Sequence, residues 1–263
     1  MNLLYAFAQF NNTTPYQLSQ NGQCGVAYCG DGCQYGYGHC GIIRDGLNII
    51  ETCKKERTLA ITYDDGPRTW TLSILGELKK HNIKATFFVN GHGEPDFCIY
   101  DHAEILREIY KEGHQIGTHT WSHSHLAQKT PKEVTYQMKK LEEAFIRILG
   151  VVPKYFRPPY GEGLNYKALR KYLKRHESKN VAMWDVDSND WVGNLTNAKT
   201  LFLNGIQDKK LPSTAHELTP FVVHHAKQLG YSFDTVGGCE GKNDPTDWYR
   251  YVGIPEERNY ETW

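Results

Sequence analysis

Long hydrophobic runs are missing from this chain. No stretch of about 18 apolar residues occurs among its 263 positions, so no helix is expected to span a bilayer. A surplus of one charge is missing as well. Thirty Lys and Arg face thirty Asp and Glu, which argues against nucleic acid or an anionic membrane as the main partner. Residues 1–8 carry no positive charge, and their apolar run is too short for a secretory signal. The expectation is a start that is truncated or already processed. Aliphatic residues are scarce between 21 and 41, where Cys24, Cys29, Cys33 and Cys40 sit in Gly-rich sequence. A segment with so little to bury requires disulfides or a metal.

What is present points to an oxidising setting, secreted or at the cell wall. There are seven cysteines and three glycosylation sequons, Asn11-Asn12-Thr13, Asn12-Thr13-Thr14 and Asn194-Leu195-Thr196. Seventeen Tyr and six Trp suit a surface that stacks on sugars, and suit a well-filled core equally. The length allows one substantial core and a small appendage. The expected division is a polar N-terminal tail over 1–20, the cysteine-rich segment 21–41, a linker 42–52, an α/β domain 53–248 and a C-terminal tail 249–263.

Alternating apolar strands and amphipathic helices from Thr58 onward predict parallel strands. The strands fall at 59–63, 84–89, 114–118, 154–157, 180–186 and 231–236. The helices fall at 70–81, 101–112, 131–149, 163–176, 197–208 and 215–229. Thr130-Pro131 opens the third helix with a cap and a proline. Its Val134, Met138, Leu141, Ala144, Phe145, Ile148 and Leu149 repeat at helical spacing and are core contacts.

Polar clusters stand where strands end, as active-site groups do in parallel α/β barrels. Asp64 and Asp65 are adjacent, and two like charges that close need a cation or a donor network between them. His119-Thr120-Trp121-Ser122-His123 puts two imidazoles on one face if the segment turns helical. A carboxylate from another strand would complete a two-His, one-carboxylate metal site with open positions for water and substrate. Arg157-Pro158-Pro159-Tyr160-Gly161 is a rigid loop suited to preorganised backbone donors. In Asp187-Ser188-Asn189-Asp190-Trp191, a carboxylate beside an indole could orient a catalytic partner and wall a small pocket.

These four segments, with the first extended to Thr62-Tyr63-Asp64-Asp65-Gly66-Pro67, resemble the first four motifs of the polysaccharide deacetylases. This is the NodB-homology group, carbohydrate esterase family four, and the likeness is greatest to fungal chitin deacetylases. It runs from about Cys53 to Trp248. The resemblance implies a distorted (β/α) barrel and a divalent metal, usually zinc with cobalt as the alternative, held by Asp65, His119 and His123. It implies Asp64 as the general base toward water at the metal, with Arg157 holding it ionised and aimed. The backbone N–H of Tyr160 would steady the oxyanion. Trp191 would line the acetyl pocket, and Asp190 would tune an acid histidine. It also implies a disulfide between Cys53 and Cys239, leaving Cys98 as the odd thiol.

The implied activity is removal of N-acetyl groups from chitin or chitooligosaccharides by a monomer. Peptidoglycan or acetylated xylan are alternative substrates. One departure stands out. The family's fifth motif, an apolar strand ending in Leu-x-His-Asp, has no counterpart. His216-Glu217 imitates the dipeptide, but no apolar run precedes it. The reading is a missing strand, a His216 that is only helical, and His224 and His225 on a helix surface. A catalytically impaired chitin-binding protein is therefore a third reading. Tyr28-Cys29-Gly30-Asp31-Gly32-Cys33-Gln34 is similar to the second half of a hevein-type chitin-binding module, with Tyr28, Tyr35 and Tyr37 as sugar-stacking candidates.

Overall fold

A computed structural model of the chain describes residues 3–7, 46–93, 97–176, 180–206 and 215–253. In chain order the elements are β1 (Leu3–Phe7), β2 (Asn48–Ile50), β3 (Thr58–Gly66), α1 (Thr71–Lys80), β4 (Thr86–Val89) and α2 (Ala103–Lys111). Then come β5 (Gln115–Thr118), α3 (Pro131–Leu149), β6 (Val151–Pro153), β7 (Tyr155–Phe156), α4 (Lys167–Arg175), β8 (Asn180–Ala182) and β9 (Val186–Asp187). The chain continues through α5 (Leu195–Ile206), α6 (Ala215–Gln228), β10 (Ser232–Asp234), α7 (Val236–Cys239), α8 (Pro245–Trp248) and β11 (Tyr249–Tyr251).

The main sheet runs β2-β8-β7-β5-β4-β3-β1-β9, with β10 also on β3. Its β2-to-β3 part is parallel throughout, which requires helical crossovers and gives the expected α/β barrel-like fold. β4, with neighbours on both sides, is buried at every position. The helix α3 begins as its sequence predicts. Thr130 and Glu133 form a reciprocal capping box, Pro131 follows, and Gly150 ends the helix in the left-handed region. Val134, Met138, Leu141, Phe145 and Ile148 are buried core, as their spacing predicts.

Three segments differ from expectation. Leu3–Phe7, within the supposed polar tail, is a strand between β3 and β9. Asn48–Ile50, within the supposed linker, pairs with β8. Tyr249–Tyr251, past the expected domain end, pairs with β6 in a second small sheet. In each case the short segment gains a ladder only from a partner distant in sequence, which local composition does not reveal. The cysteines at 24–40, Tyr28, Tyr35, Tyr37 and the sequons at 11–14 lie outside the described residues.

Cys53 and Cys239, 186 residues apart, form the disulfide that the resemblance implies, and Cys98 is free. Cross-linking so long a loop is worth about 4–5 kcal/mol in the chain-entropy model. A Cys53→Ser/Cys239→Ser variant should lose stability of that order. Urea midpoints equal to those of the parent would contradict it.

His114 is buried beneath β4 and accepts a hydrogen bond at Nδ1 from the Ala85 N–H at 3.1 Å. Protonating that nitrogen would destroy the bond. Burial pushes the ring down to about 4, Lys84 adds to this, and Glu112 opposes it. Below the ordinary value of about 6.5, the unfolded chain binds a proton that the native chain refuses. Stability is thus lost as pH falls from about 6.5 to about 4, by up to ~3 kcal/mol. In His114→Gln, whose amide oxygen can accept the same bond, the fall in urea midpoint between pH 7 and pH 4.5 should be smaller than in the parent. Equal slopes would refute this source.

Candidate active site

The loops after β3, β5, β7 and β9 meet at one edge of the sheet. Backbone bonds extend the ladders past the strand ends: Asn90 N–H to the Gly66 carbonyl, His119 N–H to the Val89 carbonyl and Arg157 N–H to the Thr118 carbonyl. Each loop therefore leaves from a fixed height.

A register shift between Asp64 and Gly66, with Asp65 at φ 66°, splits the adjacent carboxylates. A bulge of this kind re-aims a side chain. Asp64 is buried, and its Oδ1 accepts from Arg157 Nη1 at 2.8 Å. Asp65 Oδ1 instead lies 3.4 Å from His123 Nε2 and 3.6 Å from His119 Nε2. Ligand atoms of Asp65, His119 and His123 all fall within 4.8 Å of one another. Two imidazoles and one carboxylate at that spacing fit a divalent ion.

The His119–His123 segment is not helical, contrary to the geometry expected for it. Thr120 and His123 adopt left-handed backbone, with φ 72° and 46°, and these turns bring the imidazoles to 4.9 Å between ring centres. His119 Nδ1 is 2.7 Å from the Arg157 carbonyl. That contact fixes the tautomer with the proton on Nδ1, so Nε2 faces Asp65 as an acceptor. Burial, reinforced by His123, holds His119 well below its ordinary pKa, which keeps the ring neutral.

Arg157 is fully buried, and its guanidinium donates to the carbonyls of Ala182 and Met183, to Thr62 Oγ1 and to Asp64. Its guanidinium carbon lies 4.2 Å from the Phe88 ring centre. Burial pushes Asp64 up to about 8 against the opposing pull of Arg157, and Asp65 adds to the rise. Removing one partner of a buried pair is costly. Arg157→Met should destabilise the fold by about 3–5 kcal/mol, read as a lower urea midpoint. A loss below about 1 kcal/mol, the scale of an exposed pair, would refute the assignment.

Tyr160 sits at the rim with φ 58°, its ring 4.6 Å from His123 and stacked at 3.8 Å on His125. Asp190 is buried and accepts from Ser188 Oγ at 2.7 Å, and Trp191 beside it is exposed. His216 is the second residue of α6, not the end of a strand, and His224 and His225 follow on the same helix. The residues at 207–214, which precede α6, lie outside the described residues.

Sequence reasoning missed several supports. Asn90 donates its amide to the His119 and Thr120 carbonyls at 2.5 and 3.1 Å. Gln137 on α3 accepts from Ser122 N–H at 2.8 Å and donates to Ser122 Oγ at 2.7 Å. His125 lies 3.1 Å from Glu162. Only the position of Asn90 at a strand end, level with the other clusters, could have marked one of them.

Residues 51–181 match the polysaccharide deacetylase family. A chitin deacetylase of Pestalotiopsis is 34% identical over 223 residues, covering 78% of this chain and 70% of that protein. A peptidoglycan-N-acetylglucosamine deacetylase of Bacillus cereus is 42% identical over 138 residues, 51% of this chain and 46% of that protein. The solved chitin deacetylase of Colletotrichum lindemuthianum superimposes with a TM-score of 0.67 at 28% identity, covering 77% of this chain and 95% of that one.

Proposed function

The chain belongs to the polysaccharide deacetylase family, and we propose that it releases acetate from the N-acetylglucosamine units of chitin at the site around Asp64. The observation that carries this reading is a buried carboxylate, Asp64, aimed by Arg157 beside the Asp65–His119–His123 cluster. The likeness to chitin deacetylases over most of the chain supports chitin as substrate. Likeness to a peptidoglycan deacetylase keeps that polymer as the alternative.

Asp65, His119 and His123 would hold the divalent ion, zinc by the character of its donors and cobalt as the alternative. When bound, such an ion polarises the acetyl carbonyl and makes water a better nucleophile. It also adds to Arg157 in favouring the ionised form of Asp64. Asp64 accepts the proton of the water that attacks the carbonyl carbon. The Tyr160 N–H donates to the developing oxyanion, and Trp191 walls the acetyl group. As the C–N bond breaks, the amine nitrogen must gain a proton. The family's acid histidine, which Asp190 would tune, has no counterpart in His216, which lies in α6. The disulfide supports a secreted or cell-wall setting.

A catalytically impaired chitin-binding protein is the second reading, favoured by the placement of His216 in a helix. Acetate released from chitin oligomers, peptidoglycan and acetylated xylan, with added zinc and after chelation, tests the proposal. Metal-dependent release from chitin oligomers above that from peptidoglycan, abolished in Asp64→Asn, is expected. No metal-dependent acetate from any of them would overturn the enzyme reading.

A further inference from the structure

Among the described residues, one strand of the main sheet runs in the wrong direction. From β2 through β3 each neighbour is parallel, and β10 is parallel to β3 as well. β1 alone runs antiparallel, and does so to both its neighbours. Its five residues pair without a break from Leu3 with Asp64 to Phe7 with Ala60. On its other side Tyr5 pairs with Asp187 and Ala6 with Val186. Among the described residues, β1 is the strand that joins β9 to the sheet.

The edge of β3 that β1 covers is buried from Ala60 to Asp64. β10 covers Thr58 to Ala60 and reaches no further. A buried strand edge left open would strand its N–H and C=O groups without partners, at a cost of about 1–3 kcal/mol for each group. The sequence between α5 and α6, Gln207-Asp208-Lys209-Lys210-Leu211-Pro212-Ser213-Thr214, contains no apolar run. Leu-Leu-Tyr-Ala-Phe is apolar at both alternating positions, as a strand covered on both faces requires.

We propose that the slot between β3 and β9 is a strand-binding site, occupied by the chain's own residues 3–7 through strand addition. Its ligand class is an extended, apolar, antiparallel peptide of about five residues. Two consequences follow from the register. Leu3 stands level with Asp64 at the catalytic edge, and β9, which leads into Asp187–Trp191, is held in the sheet by the inserted strand.

Hydrogen exchange on the full chain tests this directly. Amides of residues 3–7 and 186–187 should be protected by about 10²-fold or more over a free peptide. Ala6→Pro removes a ladder donor and cannot pair on both sides. It should raise exchange at 3–7 and at 186–187 together by at least about tenfold, with residues 86–89 of β4 unchanged. Adding a synthetic peptide of residues 2–8 to the Ala6→Pro chain should restore protection at 186–187, while the same peptide carrying that proline should not. Free-peptide exchange at 3–7 in the parent would overturn the proposal, as would unchanged exchange at 186–187 in the variant or failure of the peptide to restore protection. A dimer by light scattering that the proline dissolves would assign the slot to a second copy instead and overturn occupancy in cis.

Discussion

An activated acetate ester should be hydrolysed measurably by this chain, while chitin oligomers are deacetylated slowly, by about 10²–10⁴-fold relative to a site with a positioned general acid. An amine leaves poorly unless it is protonated as its bond to carbon breaks. A phenolate-type leaving group needs no such help. The family's donor is expected at the end of a strand. Here the dipeptide that imitates it, His216-Glu217, falls in the first turn of α6, and the strand slot beside β3 is taken by Leu3–Phe7, which contains no histidine. His216→Ala should therefore change neither rate by more than about twofold, well short of the loss expected for a true general acid. Rates with 4-nitrophenyl acetate and with chitin pentamer, measured on parent and variant, decide the matter. If His216→Ala abolishes vigorous release from the pentamer, His216 is the acid.

Replacing His119 or His123 by Ala should remove stoichiometric metal and reduce acetate release by more than about 100-fold. Loss of a mere supporting partner of a ligand already costs 10–100-fold. The two substitutions should differ in their effect on the fold. His119 is buried and fixed by the Arg157 carbonyl, whereas His123 is partly open and reached through a left-handed turn. His119→Ala should thus also lower the urea midpoint, while His123→Ala leaves it near that of the parent. Elemental analysis and zinc titration on the purified chains provide the measurement. A parent chain without stoichiometric metal after reconstitution, or a His123→Ala chain that binds as tightly as the parent, would refute the ligand set.

Much of the architecture was legible because its signals are local. α3 was read to the residue, since a cap, a proline and a glycine mark both ends. The predicted strand 180–186 breaks in the middle. The carbonyls of Ala182 and Met183 accept from Arg157, and Met183 N–H donates to Ile50. A long-range guanidinium thus takes groups that a ladder would have used, and nothing in the apolar run announces it. β1 was missed for a similar reason, because its partners begin more than 50 residues later. The site residues were legible by type, but their assembly was not. Asp65, Thr120, His123, Tyr160 and Asn189 all carry positive φ without being glycine. Such strain is held by surrounding structure at functional loops, and no residue name encodes it.

The site is built in two storeys that share little. On the floor, Arg157, Asp64 and His119 are 0%, 1% and 2% exposed, and each is locked by contacts from several strands. On the parapet, Tyr160 and Trp191 are 48% and 51% exposed, and they stand on two different loops. A change of taste for one sugar polymer over another would need only new furniture along the parapet, because the buried floor groups are held by contacts with the strands. Variation among descendants of such a chain is therefore expected to accumulate at the rim first. A library randomised at those two aromatics should yield altered substrate preference far more often than loss of folding.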